Sequence, residues 1–291
     1  LAYAQVLTLT EQVQQDRQDA DFFRNRGAAF SGLKLYSEAL TDYERALSLD
    51  PGDVQVLNSQ GFILNNLKRY EEAQELLNRA IRIDSNNVVA YNNLGFTYAE
   101  GRRYQEALRL YDQAVQLDPN FAAAYSNQGW ALNELGQYEA ALAAFERAIS
   151  LDQRYVVAYD GKGNVLSNLN RLDEALVAFE QALRLDPLND FAIKSKGYTL
   201  NNLQRYQEAV RALDLAIRLD PTAAILYNNR GYALNGLGRY SEALQDFDRA
   251  IQLDPNVAGA YANRGFAYER LGNKQESERA YAKARELGID K

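Results

Sequence analysis

A chain of 291 residues with 32 Lys and Arg against 39 Asp and Glu carries a net charge of −7, which argues against nucleic acid, because that binding rests on cations neutralising phosphates. Cys, His and Met are absent, so thiolate nucleophiles, histidine-based triads and Cys/His zinc sites are excluded, and no cofactor or metal is expected. No apolar run approaches the roughly 20 residues that span a bilayer, which predicts a soluble segment, with the cytoplasm ahead of the periplasm or the exterior; the start at Leu1 predicts a mature chain or an excised fragment.

Residues 1–19 form a leader. Val6, Leu9, Val13 and Asp16 carry helical spacing, and they predict either a degenerate second helix of an earlier repeat, capping the array, or a plain leader helix. From there the chain is periodic. Glycines at 27, 61, 95, 129, 163, 197, 231 and 265 recur every 34 residues. A fixed period of this size decides architecture before local propensity does. With the glycine at position 8, eight units begin at residues 20, 54, 88, 122, 156, 190, 224 and 258. Stability in such an array accrues unit by unit, so residues 20–291 are expected to form one elongated domain.

Each unit reads as two helices. In the first, apolar residues at position 4 (Phe23, Tyr91, Tyr125), the glycine, position 11 (Phe30, Leu64, Tyr98) and a leucine at 14 make one helical stripe. In the second, alanine at 20 (Ala39, Ala73), an aromatic or leucine at 24 (Tyr43, Leu77, Phe145) and alanine at 27 make another. A helix-interior glycine costs about 1 kcal/mol relative to alanine, so tight packing must offset eight of them. Positions 8 and 20 are therefore expected to be where paired helices approach most closely. Asp recurs at position 31, and all five prolines, Pro51, Pro119, Pro187, Pro221 and Pro255, stand at 32. The pair is expected to stop one helix and open the next.

These residues resemble the tetratricopeptide repeat, with its aromatic at 4, Gly at 8, Ala at 20, aromatic at 24, Ala at 27 and Pro at 32. The resemblance implies an all-α, right-handed superhelical solenoid of antiparallel helix pairs. Position 7 departs from the family's leucine in every unit but one: Leu94 keeps it, while Arg26, Gln60, Gln128, Lys162, Lys196, Arg230 and Arg264 do not. Their stems can be buried, and their ends are expected near a partner. Unit 5 departs most, with Asp160, Gly161 and Lys162 before its glycine and Asn164 at position 9; unit 6 follows with Lys194, Ser195 and Lys196. In unit 8 the second helix turns polar (Lys274, Ser277, Glu278, Arg285) while Tyr281, Ala284 and Leu287 stay apolar, as a terminal cap requires; the array is expected to end there.

Asp at 31 and Glu at 19 repeat with the unit and read as caps and a solvated face. An acid pair for catalysis would need one enclosed pocket, so no enzyme is predicted. Tyrosines at 4 and 17 read as core and inter-repeat packing. Positions 2, 5, 9 and 12 of the first helix form a second stripe, bordered by 6 and 13, which the resemblance places on the concave surface. It is rich in amides, including Asn58, Asn92, Asn93, Asn127, Asn164, Asn228, Asn229 and Asn263. Aromatics recur at position 9 as Phe62, Phe96, Trp130, Tyr198, Tyr232 and Phe266. Asn both donates and accepts, as an extended peptide backbone requires, and aromatic rings supply apolar area at low entropy cost; some of the amides are expected to bond neighbouring helices instead.

The expected function is a non-catalytic scaffold or adaptor holding an extended, largely uncharged peptide of a partner protein, with Asp160 and Lys194 reading a charge where Gly161 and Ser195 interrupt the ladder. Self-association is open, as is the alternative of a regulatory or substrate-recruiting region of a larger enzyme, such as a glycosyltransferase. The dicarboxylate clamp of chaperone-binding members needs a Lys and Asn set that no run of units supplies: Lys194 is followed by Asn229, but the third unit has Gly259 and Asn263.

Overall fold

The computed structural model describes residues 19–289. The leader, residues 1–18, lies outside the described residues. Sixteen helices and no strand occur among those described, two for each unit of 34. The chain divides into residues 1–152 and 153–291, each holding four helix pairs and taken by itself. The first contains α1 (Ala20–Gly32), α2 (Tyr36–Leu49), α3 (Val54–Asn66), α4 (Tyr70–Ile83), α5 (Val88–Glu100), α6 (Tyr104–Leu117), α7 (Ala122–Glu134) and α8 (Tyr138–Leu151). The second contains α9 (Val156–Asn168), α10 (Leu172–Leu185), α11 (Asp190–Asn202), α12 (Tyr206–Leu219), α13 (Ala224–Gly236), α14 (Tyr240–Leu253), α15 (Ala258–Arg270) and α16 (Lys274–Glu286).

Within a pair, the helices approach closely at the position-8 glycine as expected, a Cβ on Gly27 lying 3.3 Å from the Ala39 carbonyl, and the tightest contact there is to a further residue of the second helix. An added Cβ on any of the eight glycines would lie 2.5–2.9 Å from the side chain at position 24, such as Phe179 for Gly163 and Tyr111 for Gly95. The glycine thus makes room for a buried ring or leucine, and the alanine at 20 packs beside it, at zero exposure at Ala39, Ala73 and Ala107. In the last pair Ser277 takes the alanine's place, and its hydroxyl donates to the Gly265 carbonyl at 2.9 Å.

The prolines also sit elsewhere than expected. Each lies in the two-residue turn between helices, two residues ahead of the N-cap. The preceding aspartate closes that turn: Asp50 Oδ1 accepts from the Gly52 amide at 2.9 Å, and Asp118 and Asp254 accept likewise from Asn120 and Asn256. This is an Asx turn followed by a residue whose φ is preset. Capping falls to position 34, where Asp53 accepts from the Gln55 and Val56 amides and Asn87 from Ala90.

The first helix of each pair ends in a left-handed residue at position 15, the geometry that usually selects glycine. Gly136, Gly238 and Gly272 supply it in three pairs, but Lys34, Lys68, Arg102, Asn170 and Gln204 hold φ between 57° and 60° in the other five. The long side chains at position 7 are engaged between helices. Arg26 makes a two-pronged bond to Asp42 at 2.6 and 2.7 Å, Gln128 reaches Asp112, Lys196 pairs with Glu180, and Arg230 bridges Asp246 and Asp214. These four ends tie their first helices to second helices.

Candidate functional site: the amide and aromatic face of the first helices

In residues 19–152, Phe62 and Phe96 are 51% and 39% exposed, while Trp130 is half-buried with its ring edge-on to Phe145 at 5.5 Å. Ser31, Asn58, Ser59, Phe62, Val89 and Asn93 line one depression of about 280 Å³, which brings positions 2, 5, 6, 9 and 12 onto one surface as the spacing predicts. In residues 153–289, Tyr198, Tyr232 and Phe266 are 54%, 43% and 39% exposed. Apolar side chains at position 2, Val157, Phe191 and Ile225 here and Val89 in residues 19–152, are exposed as well. Sequence reasoning placed position 2 on this face without singling these residues out; an apolar residue where the core stripe does not need one was the available signal.

The amides divide into two kinds. Asn58 is buried, and its Nδ2 donates at 2.9 Å to Asn87 Oδ1, the N-cap of the next repeat. Asn92 and Asn228 are buried too: each Oδ1 accepts from the position-6 amide of the following repeat, Asn127 at 2.9 Å and Asn263 at 3.0 Å. Asn93 and Asn229 accept through Oδ1 only at 3.5 and 3.4 Å. Among the described residues, Asn93 Nδ2, Asn229 Nδ2, Asn127 Oδ1 and Asn263 Oδ1 have no partner. Other amides of the same stripe are spent on the backbone: Asn65, Asn201 and Asn235 at position 12 donate to the backbone carbonyls of Asn93, Asn229 and Asn263 at 2.9–3.1 Å, fixing the helix turn that carries position 6.

The charged departures of units 5 and 6 are already engaged. Asp160 is 8% exposed, its Oδ2 accepts from Asn189 Nδ2 at 2.8 Å and its Oδ1 is buried without a partner. Burial pushes its pKa up to about 6, offset in part by the Asn189 bond and reinforced by the Asp186 charge. Lys194 lies between Asp190 at 2.8 Å and Asp220 at 3.4 Å. Asn164, half-buried, accepts a long 3.5 Å contact from Asn168. Tyrosines at position 17 do more than pack: Tyr206 and Tyr240 join Tyr232 and Phe266 around a cavity of about 530 Å³. No helix among the described residues is long and apolar enough to cross a membrane.

Family models described as tetratricopeptide repeat match residues 20–53 and 224–257, 53–120 and 88–154, 156–189, and 195–222 and 258–287. The chain belongs to the tetratricopeptide repeat family. Its fold class is the all-α tetratricopeptide array, and the family and its structural neighbours make it a protein-interaction scaffold. Among solved structures, the tetratricopeptide protein YrrB, described as having an unusual peptide-binding site, is 25% identical with a TM-score of 0.55, covering 64% of this chain and 96% of its own. A chain of the APC/C hetero-tetramer Cut9–Hcn1 is 16% identical with a TM-score of 0.71 over 98% of this chain and 56% of that chain. A tetratricopeptide protein from Parabacteroides merdae is 21% identical with a TM-score of 0.58, over 82% of this chain and 94% of that one. At these lower identities the likeness speaks for the fold alone. No protein of curated function matches the sequence.

Proposed function

We propose that this tetratricopeptide array is a non-catalytic scaffold that holds an extended, largely uncharged peptide segment of a partner on the first-helix face. The observation that carries the reading is the pairing of exposed position-9 rings with amide groups left open beside them: Asn93 Nδ2 and Asn127 Oδ1 near Phe96 and Trp130, and Asn229 Nδ2 and Asn263 Oδ1 near Tyr232 and Phe266. Open donors and acceptors at one-repeat intervals suit the alternating N–H and C=O of a main chain, and the rings suit its side chains. The peptide-binding site ascribed to YrrB is consistent with this use of the fold.

The test is Asn93→Ala with Asn127→Ala, read by affinity for peptides selected from a display library and by thermal melting. Each amide has one open group, so losing two hydrogen bonds of about 1 kcal/mol should weaken binding roughly thirtyfold. Melting should also fall modestly, because Asn127 no longer covers Asn92 Oδ1. Unchanged affinity would remove the face from consideration. Acidic chaperone tails form the negative control. The clamp cations are missing, Lys194 is paired and the chain is anionic, so calorimetry with a tail peptide should show no binding at micromolar concentration; like charges oppose the approach.

A further inference from the structure

Resting on that reading, we infer that the cavity among Tyr206, Tyr232, Asn235, Tyr240, Phe266 and Arg270 is the anchor of the bound segment, and that it takes a tryptophan or tyrosine side chain next to a single carboxylate. Three features combine here that no other repeat brings together. The first is room. Gly236 stands where repeat 1 has Gly32 but repeats 2 to 6 carry Asn66, Glu100, Glu134, Asn168 and Asn202; a Cβ there would lie 2.5 Å from the Tyr206 ring, so the ring lies over the bare backbone and the space beside it stays open. Tyr206 and Tyr232 meet edge to face at 6.2 Å, and Tyr240 and Phe266 at 6.3 Å, giving walls on which a third ring stacks.

The second is charge. Arg270 packs its guanidinium 5.4 Å from the Tyr240 ring and 5.8 Å from Phe266 and forms no ion pair among the described residues. Repeats 3 and 4 hold Glu100 and Glu134 at the same position. In a chain of net charge −7, an exposed cation stacked on the cavity wall selects a carboxylate, with two parallel N–H donors available to it.

The third is an unused acceptor in the floor. Asn235 is 8% exposed; its Nδ2 donates to the Asn263 carbonyl at 3.0 Å, which fixes the amide's orientation, and its Oδ1 has no partner. In repeat 2 the same asparagine, Asn65, has its Oδ1 satisfied by the Thr97 hydroxyl at 2.8 Å. The residue equivalent to Thr97 here is Ala267. A buried acceptor wants a donor, and an indole N–H or phenol O–H is the donor that a ring seated deep between Tyr232 and Phe266 brings with it. Oδ1 is buried beneath the cavity lining, so the ring must seat fully to reach it.

The experiment selects random peptides on the full 291-residue chain by display and measures the enriched ones by fluorescence anisotropy against two variants. Arg270→Glu installs the residue that repeats 3 and 4 already tolerate; Ala267→Thr supplies the hydroxyl that Asn65 enjoys. Enriched peptides should carry Trp or Tyr beside Asp or Glu. Arg270→Glu should weaken them about tenfold or more with melting unchanged. Ala267→Thr should weaken them while raising the melting temperature, because Asn235 Oδ1 is then satisfied from within. Enriched peptides without the aromatic–acidic pair, or affinity that ignores either variant, would overturn the anchor while leaving the groove intact. A chain that enriches no peptide at all overturns the groove reading and the anchor with it.

Discussion

Gly163→Val is expected to destabilise residues 153–291 by about 3 kcal/mol or more, and Gly163→Ala by about 1–2 kcal/mol, although alanine is the better helix former by about 1 kcal/mol. The added Cβ would lie 2.5 Å from Phe179 Cε1 and 2.7 Å from Cδ1 and Cζ. Phe179 is 1% exposed. Retreat would push it into neighbours already packed at interior density, where added volume forces off-rotamer side chains. Urea unfolding of the Gly163→Ala and Phe179→Ala cycle isolates the cause. With Phe179 truncated, Gly163→Ala should cost nothing or stabilise the helix. An equal cost in both backgrounds would show that the glycine is required for something other than the ring.

Asp160→Asn is expected to stabilise the protein at neutral pH. The folded-state carboxyl titrates near 6, well above its ordinary value of 3.8, so between about pH 4 and pH 6 the folded chain binds a proton that the unfolded chain has released. Stability therefore falls as pH rises through that window and is flat above it. Two pH units at 1.36 kcal/mol each set the scale. The advantage of Asp160→Asn should grow by about 2 kcal/mol between pH 4.5 and pH 7.5, measured by urea unfolding at both. The substitution is geometrically conservative, because repeat 2 holds Asn58 at this position, where its Nδ2 donates to the N-cap Asn87, while Asp160 accepts from the equivalent N-cap Asn189. A difference independent of pH would mean that Asp160 stays charged in the folded state, which its buried, unpartnered Oδ1 argues against.

The same comparison of repeats shows how much of the site was legible. That positions 2, 5, 6, 9 and 12 share a face followed from helical spacing, and the exposed rings at Phe62, Phe96, Tyr198, Tyr232 and Phe266 lie where that spacing puts them. Which asparagines are spent inside the protein did not follow. Asn58, Asn92 and Asn228 bond groups 29 to 35 residues away, and an amide's composition says nothing of which neighbour its two ends meet. Tyr206 and Tyr240 were assigned to packing for the same reason: a half-buried ring has one face in the core and another available, and only the neighbours decide.

The sequence by itself determined the array: the 34-residue period, the two apolar stripes, the need for a small residue at position 8 and the amide-rich face all follow from helical geometry and residue volume. The tertiary structure decided what the period alone leaves degenerate. It placed the side chain at 24, besides the residue at 20, against the glycine. It bent Lys34, Lys68, Arg102, Asn170 and Gln204 into a conformation that glycine occupies elsewhere, because the short connection between paired helices imposes the turn whatever residue stands there. It also tied the position-7 cations to aspartates and glutamates of the second helices. A local pattern specifies which side of a helix is buried. The partner on the other side comes from a different repeat or helix, and its identity emerges only when the pairs stack.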